Sequence, residues 1–142
     1  YIEQYLEKYS GIKKFMDDVV EDAKEKGYVE TLFHRRRYIP ELTSKNYMVR
    51  QFGTRVAMNT PIQGTAADIM KIAMIEIYNK LREEKLDAKI VLQVHDELII
   101  ECKIEEKEKV KEILQNGMEN AAKLSIPLKA EVSEATNWYE AK

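Results

Sequence analysis

The chain has 142 residues, 44% of them hydrophobic and 34% charged, with a formal net charge of −2. That is one domain's length with enough apolar content for a packed core, and no run is long and apolar enough to span a bilayer. The start, YIEQYLEKYSG, is acidic and amphipathic without a signal-peptide layout, and Cys102 has no second cysteine to pair with, so a reducing, intracellular setting is the simplest inference.

The chain begins without Met and in mid-pattern, which predicts a piece of a longer protein. Ile2, Tyr5, Leu6 and Tyr9 fall at helical spacing. Ser10-Gly11 then interrupts the pattern, and Ser10 is the expected N-cap of a second helix whose stripe is Ile12, Phe15, Met16, Val19, Val20 and Ala23. Lys24, Lys26 and Gly27 supply its C-terminal signal. Residues 28–32 and 37–39 are rich in β-branched and aromatic side chains and read as a small hairpin with residues 33–36 at its tip, ended by Pro40.

Residues 46–58 read as a helix weakened by Gly53. A new helix is predicted to start at Thr60-Pro61-Ile62-Gln63, which matches a capping box with proline at the first helical position. Its stripe is Ile62, Ala66, Ile69, Met70, Ala73, Ile77 and Leu81, and the small residues Gly64, Thr65, Ala66 and Ala67 leave room for another backbone or a ligand. Residues 89–94 and 98–102 read as strands of a tight hairpin centred on His95-Asp96. A helix follows with Val110, Ile113, Leu114, Met118, Ala121 and Leu124 inside, and residues 127–132 alternate as a strand. The order is helices, hairpin, helices and then β-β-α-β, an α+β arrangement with a mainly antiparallel sheet.

Charge is unevenly placed. Residues 31–60 hold Arg35, Arg36, Arg37, Lys45, Arg50 and Arg55 against Glu41 alone, on an otherwise acidic molecule. A localised contact with a polyanion and a solvated surface both fit that pattern. Strand alternation sends neighbouring arginines to opposite faces, so not all three of Arg35–Arg37 reach one partner.

The stretch VLQVHDELIIE places three ionisable side chains between apolar strands, where an unpaired charge is costly unless it reaches solvent. At a hairpin tip Asp96 and Glu97 become a fixed pair of carboxylates. Hard oxygen ligands of that kind suit Mg²⁺ shared with substrate phosphates. A polar turn is the bland alternative, since Asp is common in turns. Two acids are too few for a two-metal site; Asp68 lies on a helix and Glu101 at the far strand end, so further ligands would have to come from outside this chain.

Three segments together, TLFHRRRYIPEL, RVAMNTPIQGTAADIMKIAM and LQVHDELIIE, resemble the C-terminal part of the family A DNA polymerases, in order and with family-like spacing; QVHDE resembles the family's motif C, and NWYEAK is also family-like. The resemblance implies part of a right-hand polymerase fold, an antiparallel palm sheet with packed helices plus fingers helices. Residues 1–58 would be the later fingers and the return to the palm, and residues 59–142 the palm with its catalytic hairpin. Asp96 would bind catalytic Mg²⁺ with Glu97 as its supporting acidic neighbour, and the second aspartate of the two-metal site would lie outside this chain. His95 would lie by the primer terminus, Gln63 and Asn59 would approach the minor groove, and Arg55, Arg37 and Arg36 would lie near the DNA backbone. Minor-groove acceptors occupy similar places on every base pair, so Gln and Asn can donate to them without choosing a sequence. For Gln63 the competing role is the capping box. Gly53-Thr54 departs from the family's frequent Ala-Glu before the arginine, which removes a charge that could orient Arg55.

The implied function is that of the C-terminal segment of a DNA-templated DNA polymerase, cytoplasmic and bacterial, with primer-template DNA and deoxynucleoside triphosphates as partners. The segment alone is expected to be inactive, because the first aspartate motif and the nucleotide-gripping fingers helix would precede residue 1. It is also expected to self-associate through an unpaired sheet edge. A non-catalytic nucleic-acid-binding or complementing subunit of a split polymerase is the alternative, and a phosphodiesterase using His95, Asp96 and Glu97 alone is a third for which ligands are lacking.

Overall fold

The structure is a computed structural model that describes residues 2–141. Its elements run α1 (Ile2–Lys8), α2 (Ser10–Lys26), β1 (Tyr28–Glu30), β2 (Arg36–Tyr38), a 3-10 turn (Pro40–Thr43), α3 (Tyr47–Glu83), β3 (Ala88–Val94), β4 (Glu97–Cys102), a second 3-10 turn (Ile104–Glu106) and α4 (Lys107–Glu119). The α+β class stands as expected. The chain divides into two compact units, and the division falls inside α3, after Asp68.

In the first unit, α2 stops where its charges and glycine predict. Gly27 takes a left-handed φ of 80° and its N–H donates to the Ala23 carbonyl at 2.8 Å. The chain turns directly into β1, which pairs with β2 in the register Tyr28↔Tyr38, Val29↔Arg37, Glu30↔Arg36. Val29 and Ile39 join Ala23, Leu42 and Ala57 in a small buried core, with Val19, Val20 and Val56 against it. Gly53, read from sequence as a weakness in a helix, is a packing device. A Cβ there would meet Glu41 Cβ and the Leu42 nitrogen at 3.0 Å.

Asn46 starts α3, its Oδ1 accepting the Met48 N–H at 2.9 Å as an N-cap. The helix then runs 37 residues without a break, and Pro61 lies inside it. The expected new start at Thr60 is therefore absent, and so is the capping role for Gln63. A proline inside a helix costs about 3 kcal/mol. Burial on both sides outweighs that cost, with Ala57 before Pro61 and Met70, Ala73, Ile77 and Leu81 after it. The single apolar stripe is also corrected. Ile62 is 63% exposed and Ala66 is exposed, and burial on that stripe begins at Met70. Ser10 is likewise not an N-cap: Tyr9 holds that position without a side-chain cap, and its carbonyl accepts the Ile12 N–H.

The second unit has one core. Ala73, Ile77 and Leu81 of α3 meet Val110 and Ile113 of α4 and Ala121, with Ile90, Leu98, Ile100 and Cys102 of the hairpin packed on them. In β3–β4 the pairs Ala88↔Cys102, Ile90↔Ile100 and Gln93↔Leu98 share the core side. The register shifts between Ile90 and Leu92, a bulge at Val91 that sends Leu92 with Ile99 to the opposite face.

The predicted strand at 127–132 does not form, and the expected β-β-α-β ends as β-β-α. Backbone groups there are met by side chains of α4: the Ala130 N–H donates to Glu119 Oε1 at 3.0 Å, and Gln115 Nε2 donates to the Ala130 carbonyl at 3.5 Å. Helix α4 also stops at Glu119, so Ala121 is buried just beyond it and Leu124 lies outside it. Farther along, Glu134 is gripped by Lys107 and Lys111.

Gly117→Ala tests the second core. Alanine normally favours a helix interior over glycine by up to about 1 kcal/mol, but a Cβ at 117 would fall inside the radius of Ile77 Cγ1, and Ile77 is 0% exposed with no room to shift. Overpacking of about 1–3 kcal/mol should win, and chemical denaturation should show a net loss of stability. Glu134 gives a pH test. Lys111 and Lys107 hold its carboxyl down from 4.5 to about 2, so its contribution is present above 4.5 and is lost as pH falls towards 2. The difference in urea midpoint between the wild type and Glu134→Gln should persist at neutral pH and close across that window.

Candidate functional site

The basic hairpin of the first unit sorts its three arginines by position. Arg35 ends the loop after β1, and its Nε donates to Asp68 Oδ1 at 2.7 Å while Nη2 donates to the Gly64 carbonyl at 3.2 Å. Arg36 lies on the strand face shared with Tyr28, Glu30 and Tyr38. Its Nε donates to Glu30 Oε1 at 2.7 Å and its guanidinium stacks 4.6 Å from the Tyr28 ring centre. Arg36 holds the Glu30 carboxyl below the ordinary carboxylate range, with His34 adding to the effect. Arg37 is paired with Val29 and so lies on the opposite face, exposed. Its side chain has no hydrogen bond or ion pair among the described residues. The alternation expected from sequence is what separates Arg36 from Arg37.

A cleft of about 310 Å³ opens between this hairpin and α3, lined by Thr31, Arg35, Arg36, Arg37, Thr60, Gln63 and Gly64. Gln63 and Asn59 project from consecutive turns of α3, with Arg55 one turn earlier. All three side chains are exposed, and none is hydrogen-bonded within the described residues. Arg50, also in the basic segment, is fully used. Its Nη1 donates to the Ser44 and Lys45 carbonyls at 2.8 and 2.9 Å, fixing the loop before α3. The basic segment is thus part scaffold (Arg35, Arg36, Arg50) and part uncommitted surface (Arg37, Lys45, Arg55).

In the second unit the β3–β4 turn is two residues long, His95 and Asp96. His95 has φ 50°, a left-handed conformation that non-glycine residues adopt sparingly, and Gln93 Nε2 donates to its carbonyl at 2.8 Å. A positive φ at the first position suits a two-residue hairpin turn, and the Gln93 bond ties the turn to its own strand. His95, Asp96 and Glu97 are exposed, and their side chains have no partner among the described residues. Other acids of this unit are committed to lysines: Asp87 to Lys103, Glu84 to Lys109 and Lys80, Glu134 to Lys107 and Lys111. No group of three or more His, Cys, Asp and Glu side chains among the described residues is arranged to hold a metal ion. Asp96 and Glu97 offer hard oxygen donors, of the type that suits Mg²⁺, but two carboxylates are fewer than its six-coordinate shell needs.

Sequence reasoning missed the roles of Asp68 and Arg35. Asp68 was weighed only as a metal ligand, yet it is 8% exposed and receives Arg35. The available signal was an acid one turn after Gly64-Thr65, on a helix whose small residues admit a neighbouring backbone.

The whole chain matches one family. The model of the family described as DNA polymerase family A covers residues 1–140. The chain is 54% identical to DNA polymerase I of Bacillus subtilis (strain 168) and 51% identical to that of Bacillus caldotenax, each over 142 residues, all of this chain and 16% of those proteins. Among solved structures it is similar to the POL domain of Pol1 from M. smegmatis in complex with DNA primer-template and dNTP, with a TM-score of 0.96 and 41% identity over 99% of this chain and 25% of that one. The chain belongs to the family A DNA polymerases. It spans about a sixth of the length of these curated relatives. No helix among the described residues is long and apolar enough to cross a membrane.

The Glu30–Arg36 pair generates a test. Glu30→Gln removes a negative charge beside the cleft and releases one guanidinium. In a polymerase of full family length carrying this segment, it should tighten DNA binding and steepen the dependence of log affinity on log salt by at most about 0.9, one phosphate contact. A salt titration of primer-template binding measures it; weaker binding would mean that the pair shapes the hairpin rather than withholding a cation.

Proposed function

We propose that this chain is the C-terminal fingers and palm segment of a DNA-templated DNA polymerase, residues 1–58 fingers and return to palm, residues 59–142 palm. One observation carries the reading: of the residues that the family resemblance nominates, Arg37, Arg55, Asn59, Gln63, His95, Asp96 and Glu97 stand exposed with side chains that have no internal partner among the described residues. Ordered polar groups left without internal partners are available to a ligand, whereas the neighbouring Arg35, Arg36 and Arg50 are engaged.

In this reading Arg37 and Arg55 take phosphates of the primer-template backbone. Such contacts supply affinity and register but no sequence information. Arg36 can add to them through donors that Glu30 leaves free, since a guanidinium has five. Asn59 and Gln63 donate to minor-groove acceptors, which every correct pair offers in similar places. Loss of the capping box removes the competing use of Gln63. His95 touches the primer end. Asp96, with Glu97 beside it, is a ligand to Mg²⁺, which neutralises charge developing on the transferring phosphoryl group. The remaining ligands and the contacts to an incoming deoxynucleoside triphosphate belong to other parts of the protein. The segment alone is therefore inactive. Its outer hairpin face, with Val91 and Leu92 exposed, favours self-association when isolated.

Within a polymerase of full family length, Asp96→Ala should lower the single-turnover incorporation rate by about 10³-fold or more, the worth of several kcal/mol at the transition state. DNA affinity should change little, because it comes mainly from phosphate contacts. Glu97→Ala should cost clearly less. Small and equal losses for the two variants would remove Asp96 from the metal shell.

A further inference from the structure

We propose that Arg35 and Asp68 are a positioning pair that sets the width of the cleft between Arg37 and Gln63, so that one strand's phosphate and the adjacent base edge are engaged together. The inference rests on the duplex reading above and adds two residues that touch no DNA.

The loop after β1 is moulded onto α3 by three hydrogen bonds and shaped by others within it. Thr31 is 4% exposed, and its Oγ1 accepts the N–H groups of Phe33 and Arg35 at 3.3 and 3.2 Å, which curls the loop. Thr65 Oγ1 accepts the Leu32 N–H at 2.9 Å and donates to the Pro61 carbonyl at 2.5 Å. Arg35 then reaches across to Asp68 and to the Gly64 carbonyl. Gly64 permits this approach, since a Cβ would sit 2.7 Å from Thr31 Cγ2 and 3.5 Å from Arg35 Nη2.

The geometry separates this pair from ordinary surface ion pairs. Asp68 is nearly buried and the contact is charge-assisted, so it is shorter and less screened than an exposed bridge. It joins residues 33 positions apart. Arg37 follows Arg35 by two residues on the hairpin, and Gln63 precedes Gly64 on the helix. Arg37 and Gln63 therefore flank the latch on either wall of the cleft. Neither has a contact of its own across the cleft among the described residues, and beside the shared core and the Leu32–Thr65 bond the Arg35 contacts are the ones that span it next to both. A duplex needs a fixed distance between phosphate and minor-groove edge. Misplacement of one wall therefore weakens contact with a correct primer end more than with a mismatched end, whose acceptors have already moved.

The experiment uses a polymerase of full family length carrying this segment, with single-nucleotide extension from matched and mismatched primer ends, well below each variant's Tm. The variants are Asp68→Asn, which keeps shape and removes the charge, Arg35→Lys, which keeps a cation but not the two-acceptor reach, and Gln63→Ala. Asp68→Asn should lower the matched-to-mismatched ratio roughly three- to thirtyfold, as expected for coupling through a packed network. Gln63→Ala should lower it in the same direction and add little in the Asp68→Asn background. Arg35→Lys should fall between wild type and Asp68→Asn, and it carries the test by itself if Asp68→Asn does not fold. An unchanged ratio in both latch variants, with all ends slowed alike and a lower Tm, would make the pair structural only and overturn the proposal while Gln63→Ala still shifts the ratio. An unchanged ratio in Gln63→Ala as well would remove the duplex reading and this inference with it.

Discussion

Helix α3 contributes residues to two cores and stays helical through Pro61, which has no N–H to give to its hydrogen-bond ladder. Ala57 is buried against α2, the hairpin and the first 3-10 turn, while Ala73, Ile77 and Leu81 are buried against α4 and the second hairpin. Proline inside a helix normally favours a kink or a break. A break there would free the turn carrying Gln63 from the turn carrying Ala57 and Asn59. Continuity through the proline is what turns side chains on successive turns into a surface of fixed spacing. The small residues on the buried side, Gly53, Ala57 and Gly64, let the rest of the first unit come to the helix at backbone distance.

On that scaffold, charge divides into committed and uncommitted groups. Arg35, Arg36, Arg50 and Asp68 hold the hairpin and its loops in shape. Lys107 and Lys111 hold the C-terminal segment through Glu134. The exposed pairs among them, Arg36 with Glu30 and Glu134 with its lysines, contribute little stability each. The net charge of −2 conceals this, because affinity for a polyanion depends on which cations remain unpaired and not on the sum.

Much of the fold was legible because it is local. The stop at Gly27, the two hairpins and the two-residue turn at His95-Asp96 follow from residue types over a few positions. The misses share a cause. Thr60-Pro61-Ile62-Gln63 carries every local mark of a helix start, and tertiary burial overrode it. Residues 127–132 carry a strand's alternation but are held by Glu119 and Gln115 instead of a neighbouring strand. The bulge at Val91, which decides the face of Leu92, has no sequence mark. For the site, the residue types of the exposed tip at 95–97 and of the helix face at 55–63 could be read directly. What could not be read was which arginines the protein keeps for itself, since the partner of Arg35 lies 33 residues away.

The central claim is that the uncommitted side chains along the cleft and at the tip of the second hairpin meet DNA and metal. The most direct measurement is an experimental structure of a polymerase of full family length carrying this segment, with primer-template DNA, a deoxynucleoside triphosphate and Mg²⁺. The account predicts the Asp96 carboxylate on a metal ion, Gln63 and Asn59 at minor-groove acceptors, Arg37 on a phosphate, and Arg35 still on Asp68. A duplex that contacts Arg35 and Arg50 while leaving Arg37, Asn59 and Gln63 in solvent would contradict it.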